Sequence, residues 1–235
     1  GSEAAEYANQ IRTILRYIDA CDGNLEEGSL RCDCNVSVRP LGETQLGTKV
    51  EIKNINSFRF IEKAIEYESE RQIDAILNGE KILQETRLYD SDKNRTFSMR
   101  SKEDAQDYRY FPDPDLPALR ISEEKLNHIR KNLPEMPLAR WDRYIKAYGL
   151  TEQDCSFLVS DREVGDYFEQ GLLFNPQPKS FVNWMMGEML AFNNENGLNF
   201  SNTKMNPERL AGLVKKVDSG QVSHRLAKDI FRKMI

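Results

Sequence analysis

Histidine, tryptophan and cysteine are scarce in this 235-residue chain, which has two, two and four of them. The scarcity narrows the chemistry open to it. His128 and His224 each stand alone in helical sequence, with no Ser, Cys or second His at useful spacing, so both read as surface or packing residues and neither as catalytic. The cysteines, at 21, 32, 34 and 155, form no CxxC pair, which favours small core residues over zinc ligands or disulfides. No run of about 18 apolar residues is present to span a membrane, and the opening GSEAAEYANQ has neither the charged nor the apolar region of a signal peptide. A soluble protein in a reducing, cytoplasmic compartment is the default expectation. Gly1 and Ser2 read as the remnant of a cleaved expression tag. An excess of either charge is also lacking: 33 Lys and Arg against 38 Asp and Glu give a net charge of −5. That argues against indiscriminate coating of nucleic acid and leaves room for a local basic patch.

What is present begins with LRCDCNVSVR, residues 30–39, where Leu30, Cys32, Cys34, Val36 and Val38 alternate with polar residues as in a one-sided strand. A second strand is expected around Val50 and Ile52 in GTKVEIKN, with Pro40–Gly47 as the hairpin loop. Matching apolar with apolar puts Cys32 opposite Ile52 and Cys34 opposite Val50. Asp33 then faces Glu51, Arg31 faces Lys53, and Asn35 faces Lys49. Like charges at cross-strand distance destabilise a sheet. A divalent cation on Asp33 and Glu51, with a phosphate on Arg31 and Lys53, would offset the repulsion. The alternative is a wet polar face on which Arg31 pairs diagonally with Glu51, and Lys53 with Asp33.

Before the hairpin, Ile11, Ile14, Leu15 and Ile18 form a helical stripe in a segment ending at Gly23. After it, a long helix is expected, capped by Asn56 or Ser57 and ended by Gly79. Ile61, Ala64, Ile65, Ile73, Ile76 and Leu77 are its inward residues, and Glu62, Lys63, Glu66, Glu68, Glu70 and Arg71 its solvated face. ILQETRLY and RTFSMR, joined by DSDKN, read as a second hairpin. In DYRYFPDPDLP the prolines impose an extended connector, and the aromatics can dock it on a core or stack a base. From residue 122 the pattern is helical, with breaks before Pro134 and at Gly149, Gly171 and Gly220, and Phe181, Trp184, Met185, Met189 and Phe192 mark a central core helix. Residues 206–235 hold seven Lys or Arg against three Asp or Glu, compatible with a phosphate-contacting surface or with ordinary amphipathic helices. The fold class is therefore α+β: antiparallel β hairpins with a packed long helix, followed by an all-α helical domain.

The strings EEGSLRCDCNVSVRP, GTKVEIKNINSFRFIEKAIEYE, QETR at 84–87 and DYRYFPDPDLP resemble the B component of the glutamyl-tRNA(Gln)/aspartyl-tRNA(Asn) amidotransferases, the GatB family. WMMGEML and NPERLAGLVKKVDSG extend the likeness more weakly, and Cys34 departs from it where a small residue such as Ala is common. The resemblance implies an ATP-dependent ligase component. By that resemblance, ATP would phosphorylate the side-chain carboxylate of a glutamate or aspartate misacylated onto tRNA, and ammonia from a partner amidase, the A component, would displace the phosphate, with a small C component in the assembly. It implies Asp33 and Glu51 as catalytic and Mg²⁺-binding residues; Arg31 and Lys53, from the face they share with that pair, would contact phosphate or carboxylate, and Glu27, in the turn entering the strand, is a lesser metal candidate. It further implies that residues 3–132 form part of a cradle domain and 133–235 a helical domain leading to a tRNA-binding tail. Further ligands would lie upstream, and the fragment would be inactive alone. A noncatalytic module for tRNA binding or assembly of the complex is the alternative.

Overall fold

The structure is a computed structural model that describes residues 1–99, 111–174 and 177–235. The DYRY part of the aromatic connector, Asp107–Tyr110, lies outside the described residues. The chain divides into two compact units. One comprises Gly1–Leu15 and Asp19–Leu133, the other Arg16–Ile18 and Pro134–Ile235.

The first unit is α+β. After α1 (Ser2–Tyr17) come β1 (Cys32–Val36), β2 (Val50–Ile55), α2 (Phe58–Leu77), β3 (Thr86–Asp90), β4 (Arg95–Ser98) and, later, α3 (Glu123–Asn132). The strands form one sheet in chain order, β1-β2-β3-β4. β1/β2 and β3/β4 are antiparallel as expected of hairpins, but β2 and β3 pair in parallel, so the sheet is mixed. α2 supplies the crossover that a parallel pair requires. Ser57 caps α2 by accepting a hydrogen bond from the Phe60 N–H at 3.2 Å. The loop between β1 and β2 is longer than Pro40–Gly47, running from 37 to 49. Gly47 is required there, because a Cβ at that position would fall 2.2 Å from the Val38 carbonyl oxygen.

Alternation along β1 and β2 places Cys34, Val36, Ile52 and Ile55 against Ile61 and Ala64 of α2, with Tyr89 of β3 completing the core. The lower half of α2 departs from the sequence reading. Ile73, Ile76 and Leu77 are exposed, and the buried stripe is instead Ile61, Ala64, Glu68, Gln72 and Ala75. Glu68, expected on the solvated face, is fully buried. It accepts hydrogen bonds from Arg71 at 2.6 and 3.0 Å, from Gln72 at 2.9 Å and from Thr96 of β4 at 2.9 Å. Arg87 of β3 lies 3.5 Å away, and Gln72 donates to the Val36 carbonyl of β1 at 3.1 Å. Burial pushes the Glu68 carboxyl pKa up, yet the hydrogen bonds from Arg71, Gln72 and Thr96 outweigh it and leave the group below the usual glutamate range. In α1, Ile11 and Ile14 of the helical stripe are more than a third exposed.

The second unit is helical: α4 (Pro137–Tyr148), α5 (Glu152–Val159), α6 (Arg162–Leu172), α7 (Pro178–Trp184), α8 (Leu190–Asn196), α9 (Pro207–Asp218) and α10 (His224–Met234). The single helix expected over 151–171 is two, because Asp161 starts a new one as its N-cap. α7 and α8 are continuous through a π-helical turn at Met185–Met189. Phe168, Phe181, Met185 and Met189 are fully buried, and the Phe168 and Phe181 rings lie 6.2 Å apart. His224 has a packing role, its ring stacked 5.2 Å from that of Trp184. No helix among the described residues is long and apolar enough to cross a membrane.

Candidate functional site on the open face of the sheet

One face of the sheet is covered by α2; the other carries the residues singled out for chemistry. The register differs from the expected one by two residues. Cys34 pairs with Ile52, Asn35 with Glu51 and Val36 with Val50. The next pair is Cys32 with Ile55, so a bulge places Lys53 and Asn54 of β2 opposite the single residue Asp33. Asn54 takes up the extra length in the left-handed region, at φ 67°, and donates from Nδ2 to the Tyr89 carbonyl at 3.1 Å. Bulges of this kind re-aim side chains and are frequent beside active sites.

Asp33 therefore does not face Glu51, nor Arg31 Lys53, nor Asn35 Lys49. The like-charge pairs that suggested a cation do not form. Asp33 is exposed and faces the lysine instead, while Glu51 faces an amide. Glu51 is held by the Thr86 hydroxyl, which donates to its Oε2 at 2.8 Å, and has Lys53 Nζ 3.8 Å from the same oxygen. Thr86 belongs to the QETR string, whose residues divide between the two faces: Thr86 orients Glu51, and Arg87 joins Glu68 beneath the sheet. Arg87 also donates to Glu85 at 2.6 Å. Sequence reasoning missed both supports, although the five-residue stripe through Glu68 was visible as helical spacing.

Arg31 precedes β1, is exposed, and lays its guanidinium beside Gly28. Glu27 is exposed in the preceding turn, where its backbone N–H donates to Asn24 Oδ1 at 3.2 Å. It does not join Asp33 and Glu51: among the described residues no three His, Cys, Asp or Glu side chains are gathered where they could hold a metal. Two carboxylates on one open face still fit Mg²⁺, which is bound through one or two carboxylates plus water and substrate phosphate. They do not fit a caged ion. On the opposite face, the Cys34 thiol hydrogen-bonds Cys32 and lowers its pKa to about 7, and the same contact raises that of Cys34.

In the helical unit Lys215, Lys216 and Arg225 are exposed, and Lys228 is paired with Glu188 at 2.5 Å. Three of the four basic residues thus lack a described acidic partner.

Comparison with known proteins bears on both units. Residues 1–127 match the GatB/GatE catalytic domain, and residues 166–235 match the GatB domain. The chain is 53% identical over 232 residues to a protein of Bdellovibrio bacteriovorus named as the B component of an aspartyl/glutamyl-tRNA(Asn/Gln) amidotransferase, covering 99% of this chain and 49% of that protein. It is 50% identical to the protein of the same name from Thermodesulfovibrio yellowstonii, with the same coverage. A third, from Crocosphaera subtropica, is 48% identical over 235 residues, all of this chain and 48% of that protein. The chain spans about half the length of these relatives. With more than half of its residues matching the catalytic domain and near-complete alignment to such relatives, it belongs to the GatB family.

Proposed function

We propose that the open sheet face is part of the site at which a tRNA-dependent amidotransferase activates a carboxylate with ATP. The observation that carries this reading is the placement of Asp33, Glu51 and Lys53 on one exposed face, with Glu51 held by Thr86. Its support is a chain 53% identical to a protein named for amidation of aspartyl- and glutamyl-tRNA.

A carboxylate is a poor electrophile, so amidation proceeds in two steps. The side-chain carboxylate of Glu- or Asp-tRNA attacks the γ-phosphorus of ATP, the bond to the bridging oxygen breaks, and ADP leaves with that electron pair. Ammonia then attacks the acyl phosphate; the C–O bond breaks, and phosphate departs carrying one proton from nitrogen. Phosphoryl transfer needs positioning and charge neutralisation more than covalent help. Lys53 supplies positive charge to the transferred group, and Arg31 supplies more from the turn leading into β1. The Thr86 hydroxyl fixes the Glu51 carboxylate without neutralising it. Mg²⁺, when bound with the nucleotide, would be held by Asp33 and Glu51 together with water and substrate phosphate, and would neutralise phosphate charge. The exposed Lys215, Lys216 and Arg225 suit contacts to tRNA phosphates. Ammonia would come from an amidase partner, the A component, with a small C component in the assembly, in the cytoplasm.

The test uses the full-length protein in its complex. Asp33→Asn and Glu51→Gln should each lower ATP-dependent amidation by about a hundredfold or more, with binding of aminoacyl-tRNA nearly unchanged. Parallel loss of tRNA affinity and activity would reassign this face to tRNA binding or assembly of the complex.

A further inference from the structure

The register that separates Asp33 from Glu51 lines up a different set of residues. Asp33 lies opposite Lys53 and Asn54, Lys53 pairs with Leu88, and Leu88 pairs with Phe97. All four side chains share the open face. The alternation shows it, since their strand neighbours Cys34, Ile52, Tyr89 and Thr96 are the ones buried against α2. The row changes character from β1 to β4: acid, cation, aliphatic, aromatic. Adjacent strands lie about 4.8 Å apart, so Lys53 and Phe97 are separated by about 10 Å and Asp33 and Phe97 by about 14 Å.

The β4 end of the row is unusual for a solvated sheet face. Leu88 is 39% exposed beside Phe97. The Arg95 guanidinium lies over the Phe97 ring with Cζ 4.4 Å from its centroid, and Lys93 Nζ lies 5.4 Å from it. Cations at an edge strand protect it from pairing with other chains, and Lys93 and Arg95 serve that purpose. Edge protection accounts for the charges. It does not account for an aliphatic–aromatic pair on the face of the sheet, continuous with the candidate phosphate site. An aromatic ring with an adjoining guanidinium plane is instead the composition on which bases stack, and the cations suit a ligand that is anionic overall.

We propose that Leu88 and Phe97, flanked by Arg95 and Lys93, form the platform for the purine base of the nucleotide whose phosphates lie over Lys53 and Asp33. The proposal rests on the reading that ATP binds this face. The order of the row matches the order of the ligand: charged phosphates over β1 and β2, the sugar over Leu88, the base on Phe97. Base stacking is tolerant of base identity, so the platform contributes affinity and placement more than selection among purines.

The experiment measures equilibrium binding of MgATP and of Mg-tripolyphosphate, which has no base, to the full-length protein in its complex. Phe97→Ala should weaken MgATP by about tenfold to a hundredfold, the usual loss for one stacked base, and leave Mg-tripolyphosphate unchanged. Phe97→Trp should restore MgATP binding. Lys53→Met should weaken both ligands. If Lys53→Met weakens both while Phe97→Ala changes neither, the platform is overturned and the phosphate site stands. If Lys53→Met also changes neither, the reading of this face as an ATP site fails. Equal weakening of both ligands by Phe97→Ala, or loss of aminoacyl-tRNA binding with MgATP unaffected, likewise overturns the base assignment.

Discussion

The two units solve the same packing problem with different materials. In the helical unit, buried Phe, Tyr, Trp and Met side chains fill the space between helices, and the burial of Arg140 is compensated at the margin by Glu169 at 2.9 Å and Asp166 at 2.6 Å. In the sheet unit the apolar core is small, and the lower half of the helix–sheet contact is closed by Glu68 and Gln72. An apolar core tolerates several packings of similar volume. Glu68 does not: Arg71, Gln72, Thr96 and Arg87 approach it from α2, β4 and β3, so one placement of helix on sheet satisfies it. That placement fixes β3, and with it Thr86 on Glu51. The sheet unit thus uses its buried polar groups to fix position, where the candidate chemistry requires it.

The comparison can be broken most forcefully at Glu68. Glu68→Ala should cost about 3–5 kcal/mol in the sheet unit, because it removes the shared buried acceptor of the Arg71 guanidinium, the Gln72 amide and the Thr96 hydroxyl. Both tryptophans, Trp141 and Trp184, belong to the helical unit. Amide exchange should therefore show lost protection in β1–β4 while the midpoint of the tryptophan fluorescence transition in urea stays within error. A common shift would make the units one thermodynamic body. The pH dependence follows from the depressed pKa of Glu68: its stabilisation is present above the unfolded value of about 4.3 and is lost as pH falls through the folded value. Glu68→Gln should flatten that acid limb in the sheet unit.

A smaller effect of opposite character is expected in the helical unit. A Cβ at Gly171 would fall 2.1 Å from Phe181 Cζ, so Gly171→Ala should destabilise by overpacking, by about 1–3 kcal/mol. Here the fluorescence transition moves and protection in the sheet is retained. The smallest effect is at the bulge. Asn54→Gly removes left-handed strain but also the hydrogen bond to Tyr89, and the two should cancel to within about 0.5 kcal/mol. Asn54→Ala keeps the strain and loses the bond, so about 1–2 kcal/mol should be lost in thermal unfolding.

These positions also show where sequence reasoning reached and where it stopped. The alternation in residues 30–39 and 49–53 identified both strands and their buried faces correctly. It could not fix the register, because a slip of two residues leaves the same side chains inward. The loop of residues 37–49 and the bulge at Asn54 decide it. Asn54 offers only the general tendency of asparagine toward positive φ. Glu68 was misread because a charge on a helix is usually solvated, although 61, 64, 68, 72 and 75 follow helical spacing more closely than the isoleucines chosen instead. Ser160–Asp161 carried a readable cap that splits α5 from α6. Apolar periodicity identified α1 as amphipathic, but it says nothing about whether a covering surface lies within the same chain. Thr86 and Phe97 acquire meaning only once β3 is known to lie between β2 and β4.

The agreement between strand order and chain order has a consequence for assembly during synthesis. A chain released as far as Ile55 can close its first hairpin, and release to Leu77 adds the helix that covers it. At that stage the Glu68 carboxylate has Arg71 and Gln72, which are neighbours on its own helix, while Thr96 and Arg87 have not yet emerged. Local pairings form early, and the parallel β2–β3 contact waits for the longest loop closure in the sheet. Until its second hairpin arrives, the acid of the nascent protein lacks its partners from β3 and β4, and arrival of that hairpin both completes the acid's shell and delivers Thr86 to Glu51. Completing the sheet and fixing the Glu51 carboxylate are one event.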